Sequence, residues 1–192
     1  MMVFVEYRLS FNRRRRVTNL LKSTTQLMLW LAAFVLGIQI GAAIYEMIVI
    51  TPLWTGNPPQ SVRDFNPVAQ FAVEPLSYKI PAVGVLAAVS VGLLSLSIGR
   101  GPLRLWVVLA GSIGVALAIA TVMYAFPILR NTIVHNGAGL TDPQIIEQVR
   151  AWLNWSRVRL LALVVAWIST IVALLQWREQ PRTLFGSQLR WK

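Results

Sequence analysis

The residues best suited to chemistry are one carboxylate and the basic and hydroxyl side chains placed at its depth. Glu46 lies inside an apolar run from Gln26 to Trp54, at the end of Gly37-Ile38-Gln39-Ile40-Gly41-Ala42-Ala43-Ile44-Tyr45-Glu46. An ionised side chain at the centre of a bilayer costs roughly 2.5–3.5 kcal/mol, so it calls for a partner or a purpose. Gln39, Ala43 and Glu46, spaced by four and three, fall on one stripe of a helix. Tyr45, Tyr124, Asn154, Arg157 and Arg159 fall at the same level when the apolar runs are threaded back and forth. Arg150, Asn154, Arg157 and Leu161 share a face by the same rule. The expected partner of Glu46 is therefore Arg157, or failing it Arg159, because a guanidinium fork matches a carboxylate bidentately. Such a cluster has three uses. It can be an ion pair that only fixes helix register, a pocket for a lipid-like or quinone-like molecule, or a catalytic site.

Other chemistries are excluded by residue type. The chain has no cysteine, which removes disulfides, thiolate metal sites and cysteine nucleophiles. Its single histidine, His135, cannot build a histidine-rich zinc site or a haem held by two histidines, so no metal site is expected. His135 reads as a surface residue of a polar loop, Trp152 and Trp155 as interfacial belt residues, and Trp167 as packing. No phosphate loop or serine–histidine–acid set is present, and no cofactor is implied beyond a bound lipid or quinone-like molecule. The net charge of +11 comes without a nucleic-acid motif, so membrane lipids are the expected partners and nucleic acid is not.

The elements that must position Glu46 follow from composition. The chain of 192 residues is 56% hydrophobic and 13% charged, with a mean hydropathy of +0.59. A soluble domain carries about 25% charged residues. The reading is an all-α integral membrane protein: a four-transmembrane-helix bundle with two external loops and a fourth helix extending beyond the outer face. A basic cytoplasmic segment, 1–25, precedes a membrane domain, 26–177, and a basic tail, 178–192. The spans are placed at about 26–53, 80–98, 105–126 and 152–177. Trp30 and Trp54 are expected at the two interfaces of the first. Gly37 and Gly41, then Gly84, Ala88 and Gly92, then Gly114, recur at helical spacing and predict close helix packing. Residues 55–79 are expected to cap the bundle or hold a short helix, with Phe65, Phe71 and Tyr78 at the interface, and 128–140 to form a second loop. Thr141 and Gln144 make a capping box for a helix from Asp142 to Trp177. The N-terminus, the turn near Pro102 and the tail hold 6, 2 and 4 of the 18 Lys and Arg, which places both termini in the cytoplasm.

Gly41-Ala42-Ala43-Ile44-Tyr45-Glu46, Pro52-Leu53-Trp54, Pro58-Pro59 and the region of Pro127 resemble small bacterial four-span proteins similar to the anthrone oxygenase-like membrane family. Ala151-Trp152-Leu153-Asn154-Trp155-Ser156-Arg157-Val158-Arg159 is similar to that family's fourth-span pattern. The resemblance implies a four-helix bundle in a bacterial inner membrane and cofactor-free oxidation of a hydrophobic aromatic substrate. The family's histidine before the fourth-span arginine is replaced here by Asn154 and Ser156, so a base for a phenolic substrate is missing unless Glu46 is left unpaired. The leading expectation is therefore a non-catalytic accessory subunit that packs against other membrane subunits or lipid-like cofactors. The oxygenase-like enzyme, with Tyr45, Glu46, Asn154 and Arg157 lining an outer-leaflet pocket, is the alternative. A transporter ranks below both, since no Gly/Pro-broken pair of spans marks a midplane site.

Overall fold

Lipid offers no partner to a backbone N–H or C=O, so segments this apolar are driven into helices whose hydrogen bonds close internally. The computed structural model describes residues 2–66, 75–97 and 103–179, with the backbone alone at 2–22, 75, 76, 96, 103, 178 and 179. The long helices are α1 (Met2–Tyr45), α4 (Pro75–Leu96), α5 (Leu103–Ala120) and α7 (Asp142–Glu179). Short ones extend or link them: α2 (Thr51–Thr55), α3 (Gln60–Asp64) and α6 (Phe126–Leu129). No strand occurs among the described residues. Four segments are long and apolar enough to cross a bilayer: Ser23–Thr55, Ser77–Ser95, Arg104–Val134 and Asp142–Trp177. The protein is thus a multi-pass, all-α membrane bundle.

The helices close into a ring, α1 against α4 and α7, and α5 against α4 and α7. Glu46 meets Arg159 while Ala33 meets Trp167, so α1 and α7 run antiparallel. Three core layers stack along the axis. Leu29, Ala32, Leu93 and Ala173 fill the end where α4 and α7 finish, and Leu36, Leu86, Leu117 and Leu163 the middle. Trp54, Val62, Phe65, Ile145 and Trp152 fill the end bearing residues 56–66, called the loop end below. Large apolar residues such as Phe34, Ile48, Leu105, Met123 and Leu161 point outward. Hydroxyls point inward: Ser90, Thr121, Thr132, Ser169 and Thr170 are buried, each donating to the carbonyl four residues back. That distribution suits a bundle whose outer solvent is hydrocarbon, where packing and polar contacts join the helices.

Two prolines are accommodated by the same device. A wide π turn over Glu46–Ile50 precedes Pro52, and another over Thr121–Ala125 precedes Pro127. Proline clashes with the carbonyl four residues back and cannot bond it. Those carbonyls belong to Ile48 and Met123, inside the wide turns. The Thr51 N–H reaches the Glu46 carbonyl instead, and the Phe126 N–H reaches that of Thr121. Pro127 therefore does not end the third span. The helix continues through a third π turn to Val134, and the second loop shrinks to about residues 135–141. Asn136 and Gly137 adopt positive φ there, 49° and 68°.

The packing faces expected from small residues are partly corrected. Gly114 lies against Ser90, and Gly111 lets α5 approach the backbone of α4, where an added Cβ would stand 2.9 Å from the Ser90 carbonyl oxygen. A Cβ at Gly92 would meet Met28 Cε, and one at Gly37 would lie 3.6 Å from Trp167 Nε1. Gly41, Gly84 and Ala88 face outward, and a Cβ at Gly41 or Gly84 would meet open space. Trp54 is buried in the core, not at an interface. Phe71, Arg100, most of the tail and the side chains of the N-terminal arginines lie outside the described residues.

Candidate functional site

The π turn that admits Pro52 begins at Glu46, directly after α1, and the carboxylate is aimed into the ring. Both carboxylate oxygens are used. Oε1 accepts from Lys79 Nζ, and Oε2 accepts from Arg159 Nη2 at 2.9 Å. The three side chains are largely withdrawn from solvent, 14% exposed for Glu46, 9% for Lys79 and 17% for Arg159. Lys79 Nζ also lies 5.3 Å from the Trp152 ring centre and 5.5 Å from that of Tyr78, within cation–π range. The Lys79 charge is thus met by a carboxylate and two aromatic rings. Nearby, Gln39 Nε2 donates to the Ala82 carbonyl at 2.9 Å and ties α1 to α4.

These groups form one wall of a cavity of about 460 Å³, within the range of small-molecule sites. Ala43, Val83, Phe126, Leu129 and Ile133 make most of the rest apolar. Tyr45 and Tyr78 line it while standing about half exposed, so they mark its mouth between α1 and α4. Phe65 and Trp152, both buried, line it at the loop end. The cap above them is anchored by Asn136, whose Nδ2 donates to the carbonyls of Arg63 and Phe65 at 3.1 and 2.6 Å. An exposed pair, Arg63 with Asp142, joins the cap to the start of α7. There the Thr141 N–H donates to Gln144 Oε1 at 2.9 Å, one half of the expected capping box.

The residues picked out by sequence separate into two groups. Tyr45, Glu46 and Arg159 come together at the cavity. Arg157 and Asn154 do not: both are exposed, as are Arg150 and Leu161 on their stripe. The correction has a simple cause. α7 buries the neighbouring stripe of Ile145, Val149, Trp152, Ser156, Leu163 and Ala166, and Arg159 is the ionisable residue in register with it among the described side chains. Tyr124 is half exposed and sits edge-on to Trp155, centres 5.9 Å apart, away from the cavity wall. His135 is exposed. Trp152, expected in an interfacial belt, is 1% exposed and packs on Trp54 with ring centres 6.0 Å apart. Trp167 ties α7 to α1 by donating to the Ala33 carbonyl at 3.0 Å.

Lys79 was missed by sequence reasoning, which placed it in the first loop. Its signal was its seat directly before the apolar run from Ile80, where a lysine can turn back into the bundle. No cluster of metal-ligating side chains exists among the described residues. Comparison with known proteins finds no matching family, no matching curated protein and no matching solved structure.

Proposed function

We propose that this protein is a non-catalytic membrane component whose cavity at the loop end holds a lipid-like or quinone-like molecule. The observation that carries the reading is the cavity itself: apolar on most of its wall, polar at one place, and open between α1 and α4. Binding sites for amphiphiles have this composition. A catalytic reading needs a free base, and Glu46 is committed to two cations. The outward Gly41, Gly84 and Ala88 suit close approach by helices of other subunits, in keeping with an accessory role. The basic excess near the chain termini supports a cytoplasmic position for both ends. In a bacterial inner membrane the cavity then opens in the outer leaflet.

The test is purification in a mild detergent followed by native mass spectrometry and organic extraction. An amphiphile retained in near-stoichiometric amount, and lost when Ala43→Trp fills the cavity, is the expected result. A protein that carries nothing, and takes up nothing from nanodiscs, would remove the binding role. Oxygen consumption with hydroxylated aromatics that disappears in Glu46→Gln would favour the oxygenase-like enzyme instead.

A further inference from the structure

The charges around the cavity do not balance. Glu46 contributes one negative charge, and Lys79 and Arg159 one positive charge each. The carboxylate has no oxygen to spare, since one faces Lys79 and the other Arg159. Lys79 has two ring faces in addition. Arg159 donates from Nη2, but its buried Nε–H has no acceptor among the described residues. The buried Trp152 Nε1–H likewise has none. Arg159 and Trp152 line the same cavity, two turns apart on the buried stripe of α7, with Lys79 beside Trp152. One wall therefore carries a surplus positive charge, with two unused donors lying just behind its surface, and most of the remaining wall is apolar. A surplus buried positive charge and unpaired donors are each costly, and a single acceptor-bearing anion relieves both.

We infer that the ligand is an amphiphile with a singly charged anionic head, a carboxylate or a phosphodiester. The inference rests on the binding role proposed above. An anionic oxygen of the head takes the Arg159 Nε–H once that side chain turns toward the cavity, since the atom is closed to solvent as it stands. A further acceptor of the head region meets Trp152 Nε1. The chain lies along Ala43, Val83 and Leu129 and leaves past Tyr45 and Tyr78. A neutral alcohol or quinone of the same chain length fills the same apolar volume but leaves the surplus charge in place.

The experiment uses the full chain in detergent, stripped of lipid, with four probes: oleate, phosphatidylglycerol, oleyl alcohol and phosphatidylcholine. Retention is read by native mass spectrometry, and affinity by the concentration dependence of thermal stabilisation. Oleate or phosphatidylglycerol should bind at least about tenfold more tightly than the matched probe without net charge, as expected for a hydrogen-bonded ion. A preference for oleate identifies a single-chain carboxylate, and one for phosphatidylglycerol a phospholipid. Lys79→Gln leaves a one-to-one pair of Glu46 and Arg159, so the ratio of anionic to uncharged binding should fall toward one. Trp152→Phe removes one donor together with some buried ring volume, so it is read as the ratio of anionic to uncharged binding, which should fall by about threefold or more. Equal binding of charged and uncharged probes overturns the inference and leaves the binding role standing. No binding of any probe overturns both.

Discussion

A carboxylate inside a membrane helix is held by what it touches, and Glu46 touches two cations from two other helices. Replacing one member of a buried ionic cluster costs about 3–5 kcal/mol, because the partners stay buried without their counter-charge. Glu46→Gln should therefore lower the thermal midpoint in detergent markedly, by an amount at the lower end of that range given the residual exposure of the cluster. Exchanging Glu46, Lys79 and Arg159 together for Leu, Met and Leu should recover most of the loss. Arg157→Leu should change stability by less than about 0.5 kcal/mol, the usual limit for an exposed position. A Glu46→Gln protein as stable as the parent would mean that the triad holds nothing. The carboxylate was legible in sequence because an acid stands out in an apolar run. The choice between arginines was not. The polar stripe through Arg150, Asn154 and Arg157 looked like a designed face, yet in a membrane bundle the buried face is marked by its small and aromatic residues. Ile145, Val149, Trp152 and Ser156 carried that signal, and it points to Arg159.

At the scale of elements, the number and order of the spans could be read from hydropathy, since each run had to be long enough to cross. What hydropathy could not supply is which small residues are contacts. Glycine at helical spacing is compatible with an inward or an outward face. Gly111 approaches the Ser90 carbonyl and Leu94, and backbone cannot step aside as a side-chain tip can. Gly111→Ala should destabilise the α4–α5 pair by about 1–3 kcal/mol through overpacking. Gly41→Ala and Gly84→Ala meet open space, and should leave the isolated protein unchanged or raise its stability by about 0.5–1 kcal/mol, the helix-interior preference for alanine. Thermal unfolding of the three variants side by side is the check, and Gly111→Ala ranking as the mildest would contradict the packing described. The π turns were equally hidden. Proline read as a stop at Pro52 and Pro127, whereas a widened turn lets the helix continue to Thr55 and to Val134.

At the scale of the whole molecule, one helix is too long for its task. α7 has 38 residues, about 57 Å at 1.5 Å per residue, against about 30 Å of hydrocarbon. Its apolar section lies toward Trp177, so the surplus falls at its start, where Asp142, Gln144, Glu147 and Arg150 are exposed to solvent or headgroups. The cap, joined there through Arg63 and Asp142, lies at the same level of the bundle. The chain has no cysteine, so single cysteines can be introduced without background. If the termini are cytoplasmic, as proposed, a membrane-impermeant maleimide added to intact spheroplasts should label cysteine at Gln60 and at Glu147. It should fail to label cysteine at Val165 in either direction, and should reach cysteine at Trp177 only after the membrane is opened. Labelling at Gln60 and Glu147 from opposite sides would break the shared level and with it the bundle's threading. Labelling of both only after opening would keep the fold and reverse the orientation, moving the mouth between α1 and α4 to the cytoplasmic leaflet.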